Sequence, residues 1–192
     1  MKTKTSILDI LLSAAVLMVV ALPFVSWILS ALGQPVNSLL SDDGLRWFFI
    51  HLPGQFINYY VTVAISVISA YASLEYVHWG STEPVRRTPL VVCLVLALLM
   101  DILLLLAAFH PHSPLISLTG SLYPSPFLHG LPFVVCFGLM LVAYVYGVLT
   151  RRITSLSSFR HFLGYGYERY GALMVLSMLL SFIFHCSRYV FY

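Results

Sequence analysis

Residues 88–109 read TPLVVCLVLALLMDILLLLAAF, and Asp101 is the only charged residue in this stretch. About 20 consecutive apolar residues allow an α-helix to cross the hydrocarbon core of a bilayer. A water-soluble protein of this length cannot bury such a uniformly apolar segment, because too much of its surface faces solvent. We therefore predict a transmembrane helix over 88–109.

The rest of the chain has the same character. Of its 192 residues, 60% are hydrophobic and 9% are charged, against roughly 25% charged in an ordinary soluble domain. This composition excludes a soluble globular domain, a disordered chain, a disulfide-rich secreted module and a nucleic-acid-binding protein. It predicts an all-α integral membrane protein whose surroundings are the lipid bilayer.

Four further apolar runs, separated by polar or proline-containing segments, extend the pattern to five transmembrane helices. The short aromatic stretch around Trp47 is too short to cross a bilayer, which predicts an interfacial segment at about 43–53. Residues 151–169 are polar and aromatic, and Gly164 and Gly166 suggest a loop turn there. We expect one transmembrane domain over 1–192, with spans at about 7–32, 55–74, 88–109, 131–150 and 170–186.

The basic residues predict the orientation. With five spans and a cytoplasmic N-terminus, eight of the ten Lys and Arg residues fall on inside segments, as the positive-inside rule requires. We expect a multi-pass protein of the bacterial inner (cytoplasmic) membrane. The inside segments hold Lys2, Lys4, Arg86, Arg87, Arg151, Arg152, Arg160 and Arg169, and the outside segments hold Arg46 and Arg188.

Asp101 is the candidate for a substrate or ion path. It is thirteenth in the 21-residue run Pro89–Phe109, and an ionised carboxylate near the bilayer centre costs roughly 2.5–3.5 kcal/mol. It should therefore face a bundle interior, a cavity or a partner. Two interpretations stay open: a protonatable or cation-binding carboxylate on a transport path, or a protonated or near-interfacial Asp with only a structural role.

The sequence contains no pattern that predicts catalysis, a cofactor or a metal site. Ser/His/Asp order, a phosphate-binding loop and CxxC spacing are all absent. His110, His112 and His129 share the segment 110–130, which lacks the Cys, Asp or Glu that would complete a metal site. His185, near the end of the fifth span, is similarly ambiguous. We expect no enzyme and interpret these histidines as interfacial.

Several segments resemble, in the same order, segments of one family, the AbgT or p-aminobenzoyl-glutamate transporters. Fragments of the resemblance are spread over most of the chain. The segments are Ser41-Asp-Asp-Gly-Leu-Arg-Trp47, Thr82-Glu-Pro-Val-Arg-Arg87, Ser125-Pro-Phe-Leu128, Tyr146-Gly-Val-Leu149 and the aromatic stretch Phe159–Tyr189.

The resemblance implies an AbgT-like, transporter-related membrane protein that forms homodimers. It further implies p-aminobenzoyl-glutamate, or a related folate-catabolite or antimetabolite anion, as substrate, with coupling to a cation gradient. Family members are more than twice as long, and this chain has no counterpart of the two re-entrant hairpins that build their substrate site. The resemblance therefore assigns no site residue here.

An alternative function follows from what the chain lacks. Carriers coordinate substrates at broken helices, whereas here Pro23 is the only proline at mid-span and no span is interrupted by a Gly/Pro cluster. The chain is then a non-transporting membrane scaffold or oligomerisation subunit, pairing with a second copy or a second membrane chain, or a nonfunctional remnant.

Overall fold

The structure, a computed structural model, describes residues 7–77, 87–109 and 126–192, and no strand occurs in these ranges. The described residues are mostly α-helical. The helices are α1 (Ile7–Ala31), α2 (Asp42–Phe56), α3 (Tyr59–Tyr76), α4 (Arg87–Phe109), α5 (Pro126–Leu149) and α6 (Leu156–Phe191).

Five segments of the described chain are long and apolar enough to cross a membrane, which confirms the predicted number. Helices α2 and α3 together form one of them, Asp42–Tyr76, so the segment predicted as interfacial at 43–53 is the helical first part of a candidate span. The other four lie in α1, α4, α5 and α6.

Helix α6 begins much earlier than the sequence suggested. The loop turn suggested at Gly164 and Gly166 is wrong, since the helix starts at Leu156 and carries both glycines in its interior. Ser155 sets the start, because its hydroxyl oxygen accepts a hydrogen bond from the Ser158 amide at 3.2 Å.

Packing against the end of α3 explains why this glycine-containing stretch is helical. The Tyr76 ring meets the rings of Phe162 and Tyr165 edge-on, with centroids 5.7 and 5.3 Å apart. One turn further on, Arg169 forms an ion pair with Glu75 at 3.0 Å. These contacts offset the roughly 1 kcal/mol by which each glycine disfavours a helix interior relative to alanine.

The chain divides into two compact units, Ser66–Arg169 and the combination of Met1–Ile65 with Tyr170–Tyr192, and the boundaries fall within α3 and near the middle of α6. That one transmembrane domain covers 1–192 stays a prediction. The Ser66–Arg169 unit has a core formed by Val77, Cys93, Val142, Ala143, Tyr146, Ile153 and Phe162.

Helix α5 ends in a Schellman motif inside that unit. The Arg152 amide donates to the Gly147 carbonyl at 2.8 Å, and the Arg151 amide donates to the Val148 carbonyl at 3.0 Å. Arg151 has a φ of 59°, the left-handed conformation that this motif requires. The tight turn brings Ile153 back onto the core.

The other unit, Met1–Ile65 with Tyr170–Tyr192, is built around the last turns of α6. Its core comprises Leu39, Phe182, Cys186 and Val190. The connection between α1 and α2 closes the end of α6, because Asn37 donates its backbone amide to the Val190 carbonyl at 2.9 Å and its side-chain amide to the Tyr189 carbonyl at 3.0 Å. Carbonyls that a helix end leaves unpaired are satisfied in this way.

The same connection is tied to α1 by a buried hydroxyl. Ser26 is 1% exposed, donates to the Pro23 carbonyl at 2.8 Å and accepts from the Leu39 amide at 3.1 Å. Pro23 itself cannot donate a backbone hydrogen bond. The two hydrogen bonds of Ser26 fix the loop that precedes α2 to helix α1.

We predict that Gly44→Ala destabilises the protein and that Gly54→Ala, in the same helix, does not. A Cβ at Gly44 would press on the Ser38 carbonyl oxygen and lie 2.8 Å from Leu39 Cα, whereas a Cβ at Gly54 has open space. Overpacking of this kind costs about 1–3 kcal/mol, while alanine otherwise favours a helix. Thermal unfolding in detergent should show a lower melting temperature for Gly44→Ala alone; equal melting temperatures would contradict this packing.

Candidate functional site

An open cleft of about 630 Å³ lies between the start of α3 and the C-terminal half of α6. Its volume falls within the range of about 300–1,000 Å³ that is typical of small-molecule sites. Each of the two helices contributes one face. In α6, the lining positions recur at spacings of three and four residues, which places them on one side of the helix. The polar lining residues are Asn58, Tyr60, Ser177, Ser181, His185 and Arg188.

Apolar side chains form the rest of the wall. Leu180 and Phe184 are largely exposed and line the cleft from α6, and Val61 and Ala64 line it from α3. A ligand in this cleft would contact the row of polar side chains on one side and the apolar side chains beside them. That combination suits an amphipathic molecule rather than a hydrated inorganic ion.

The cleft lies where the helix breaks between α2 and α3. Ile57 ends α2 in an extended conformation, with φ −122° and ψ 90°, and α3 begins at Tyr59. The Asn58 side-chain oxygen accepts from the Val61 amide at 3.0 Å and so caps the new helix. The first turn of α3, with its partial positive charge, therefore borders the cleft.

Ser181 on α6 holds this break in place. Its hydroxyl donates to the Gln55 carbonyl at 2.9 Å and accepts a hydrogen bond from the side-chain amide of Asn58. Both groups belong to the chain at the break, where regular helix bonding is interrupted. One serine thus satisfies a carbonyl near the end of α2 and orients the cap of α3.

The Gln55 side chain adds a buried polar group beneath the break. It is 1% exposed, and its Oε1 accepts from the Cys186 thiol at 3.6 Å. Among the described residues, its Nε2 has no hydrogen-bond partner. Gln55 does not line the cleft, so we assign it to the packing of α2 on α6.

His185 and Arg188 give the cleft its electrostatic character. The Nδ1 atom of His185 lies 2.8 Å from the Ser181 carbonyl oxygen; because a carbonyl only accepts, Nδ1 carries a proton and Nε2 is left for a ligand. Arg188, three residues further along α6, is exposed. No Asp or Glu of the described chain lines the cleft, so its net character is positive.

Of Asp101 and the histidines of 110–130, which the sequence suggested as site candidates, none that the structure describes lines the cleft. Asp101 is exposed on α4 and does not line this cleft, and the described part of the chain offers it no hydrogen bond or ion pair. His110 and His112 lie outside the described residues. His129 lies in α5, and the described ranges contain no group of three or more potential metal ligands.

Most of the cleft could not be recognised in the sequence. No motif singles out Asn58, and Arg188 stands out only as a basic residue of the predicted outside segments. The available signal was the spacing of Ser177, Ser181, His185 and Arg188, which places four polar side chains on one side of the mostly apolar C-terminal half of α6.

No protein-family model matches the chain, and no curated protein or solved structure matches it either. The chemistry of the cleft is therefore the starting point for its function.

We predict that Ser181→Ala lowers the free energy of unfolding by about 1–3 kcal/mol, because it leaves the Gln55 carbonyl without its partner. Ser177→Ala is the matched control: Ser177 also lines the cleft from α6, but its hydroxyl bonds only to the Met174 carbonyl of its own helix, at 2.7 Å. Denaturant unfolding in detergent measures both. Equal losses would show that Ser181 does not hold the break.

Proposed function

We propose that this chain is a multi-pass membrane protein that binds a small amphipathic organic anion in the cleft and carries it across the membrane. The observation that supports this most directly is a helix break that opens onto a cleft with apolar walls and an exposed cation, Arg188. The AbgT resemblance adds the substrate class: p-aminobenzoyl-glutamate or a related folate catabolite or antimetabolite.

The cleft offers a complementary group for each part of such a molecule. An aromatic ring suits the wall formed by Leu180 and Phe184, and an amide suits the side chains of Asn58 and Ser177. Carboxylates suit Arg188, because a guanidinium makes strong paired hydrogen bonds to them. The first turn of α3 adds partial positive charge, as the ends of broken helices do in secondary transporters.

The proposed orientation places this cleft near the outer face of a bacterial inner membrane. The N-terminus is cytoplasmic in this arrangement, because eight of ten basic residues then lie inside. Arg169 and Arg188 are nineteen positions apart on α6, or about 28 Å at 1.5 Å per residue. That distance is close to the hydrocarbon thickness of about 30 Å, so Arg188 falls at the outer interface.

We predict that the purified protein binds p-aminobenzoyl-glutamate and that Arg188→Gln weakens binding about 10- to 100-fold, as expected when a hydrogen bond to a charged group worth about 1.5–3 kcal/mol is lost. Arg160→Gln, an exposed position on α6 that does not line the cleft, is the control and should bind normally. Isothermal titration calorimetry measures affinity, and uptake of labelled substrate into proteoliposomes measures transport. Uptake equal to that of protein-free liposomes would rule out transport by this chain alone.

Asp101 favours a second candidate function, a scaffold or oligomerisation subunit. It is exposed among exposed apolar residues of α4 such as Leu98 and Leu105. A carboxyl on a lipid-facing surface is costly, so it should find a hydrogen-bond partner on another chain. A second copy supplies such a partner, because two carboxyl groups can share one proton.

If the chain is a scaffold, we predict that two copies of the Leu98→Cys variant form a cross-link in native membranes, because residue 98 lies one turn from Asp101. Adding Asp101→Leu to this variant should abolish the cross-link. Asp101→Asn keeps the hydrogen-bonding capacity and should retain it. If Asp101 instead lies on an ion path, Asp101→Asn should reduce uptake while leaving cleft affinity unchanged. A strictly monomeric chain in the membrane would contradict the scaffold function.

A further inference from the structure

We infer that the cleft takes up a proton together with its anion and that His185 is the group that binds this proton. The inference rests on the proposed function, since it describes how the same cleft accommodates the negative charge of its ligand.

The geometry leaves one nitrogen of His185 for this role. Nδ1 donates to the Ser181 carbonyl at 2.8 Å, which fixes the tautomer and the ring orientation. Within the described part of the chain, Nε2 has no hydrogen-bond partner. Since His185 lines the cleft, Nε2 is the ring atom available to accept a proton and then donate it to a bound anion.

The charged and titratable groups around His185 make its protonation depend on the ligand. From α6 the only charged neighbour lining the cleft is Arg188, and from α3 the only titratable one is Tyr60. No carboxylate from the described residues lines the cleft. In the empty cleft, the imidazole therefore has Arg188 as its charged neighbour and no carboxylate of the described residues beside it.

A bound carboxylate would supply the negative charge that the cleft itself lacks. It places negative charge beside both His185 and Arg188, and the protonated imidazole gains a charge-assisted hydrogen bond from Nε2. An imidazole is the side chain whose charge ordinarily changes between pH 5 and 8. By thermodynamic linkage, a ligand that promotes proton binding is itself bound more tightly by the protonated form, by the same factor.

The test is isothermal titration calorimetry of the purified full chain with p-aminobenzoyl-glutamate near pH 7, in buffers of different ionisation enthalpy. The carboxylates of this ligand are already ionised at that pH, so any proton taken up binds to the protein. We expect uptake of up to one proton per ligand and an affinity that falls as pH rises from 6 to 8, by up to tenfold per unit.

His185→Asn should abolish both the proton uptake and the pH dependence, because an asparagine amide can still donate to the Ser181 carbonyl but does not titrate. His51→Asn is the matched control. His51 makes the same type of bond, from Nδ1 to the Trp47 carbonyl at 2.9 Å, but does not line the cleft, so proton uptake should persist.

The outcomes separate the two proposals. Binding without proton uptake in the wild-type protein, or unchanged uptake in His185→Asn, would overturn the role of His185 and leave anion binding intact. Absence of binding by the wild-type protein would overturn the proposed function and this inference with it. His185→Gln provides a second neutral variant if His185→Asn has a reduced melting temperature.

Discussion

The hydrogen bond from the Ser181 hydroxyl to the Gln55 carbonyl links α6, one side of the cleft, to the end of α2 just before the helix break. A helix interrupted in apolar surroundings exposes backbone groups that cannot be left unpaired, since each unsatisfied group costs several kcal/mol in lipid. Here α6 satisfies one of them with a serine, and Asn58 satisfies another by capping α3. The cleft exists because both bonds allow the chain to stop one helix and begin the next.

The positive groups of this cleft would attract an anion only weakly if they lay on a water-exposed surface. Interactions between charges strengthen as the effective dielectric constant falls, so in the proposed membrane arrangement Arg188 and the first turn of α3 would act on an anion more strongly than in bulk water. The apolar wall formed by Leu180 and Phe184 limits what else can enter. Under the proposed function, selectivity for an amphipathic anion would follow from the pairing of these two surfaces.

The membrane class and the number of candidate spans could be predicted from the sequence, because both depend on long runs of apolar residues and little else. The helix over 88–109 needed no tertiary information. The first half of α6 did: Gly164 and Gly166 indicated a turn, and only the aromatic packing on Tyr76 and the ion pair of Arg169 with Glu75 make the stretch helical.

The cleft could not be predicted either, because it too depends on contacts between residues that are distant in the sequence. Hydroxyl and amide side chains in transmembrane helices usually bond to their own helix, as Ser177 does. Ser181 differs from Ser177 only in what lies opposite it, and the sequence does not show that Gln55 and Asn58 are there. Asp101 stood out by its charge alone, yet it lies outside the cleft.

Photoaffinity labelling tests the central claim, that an organic anion occupies this cleft, most directly. An aryl-azide analogue of p-aminobenzoyl-glutamate would be cross-linked to the purified protein and the modified residues identified by mass spectrometry. Labelling at Tyr60, Phe184 or their immediate neighbours, suppressed by excess unlabelled ligand, is the predicted result. Suppressible labelling confined to α4, around Asp101, would contradict the account.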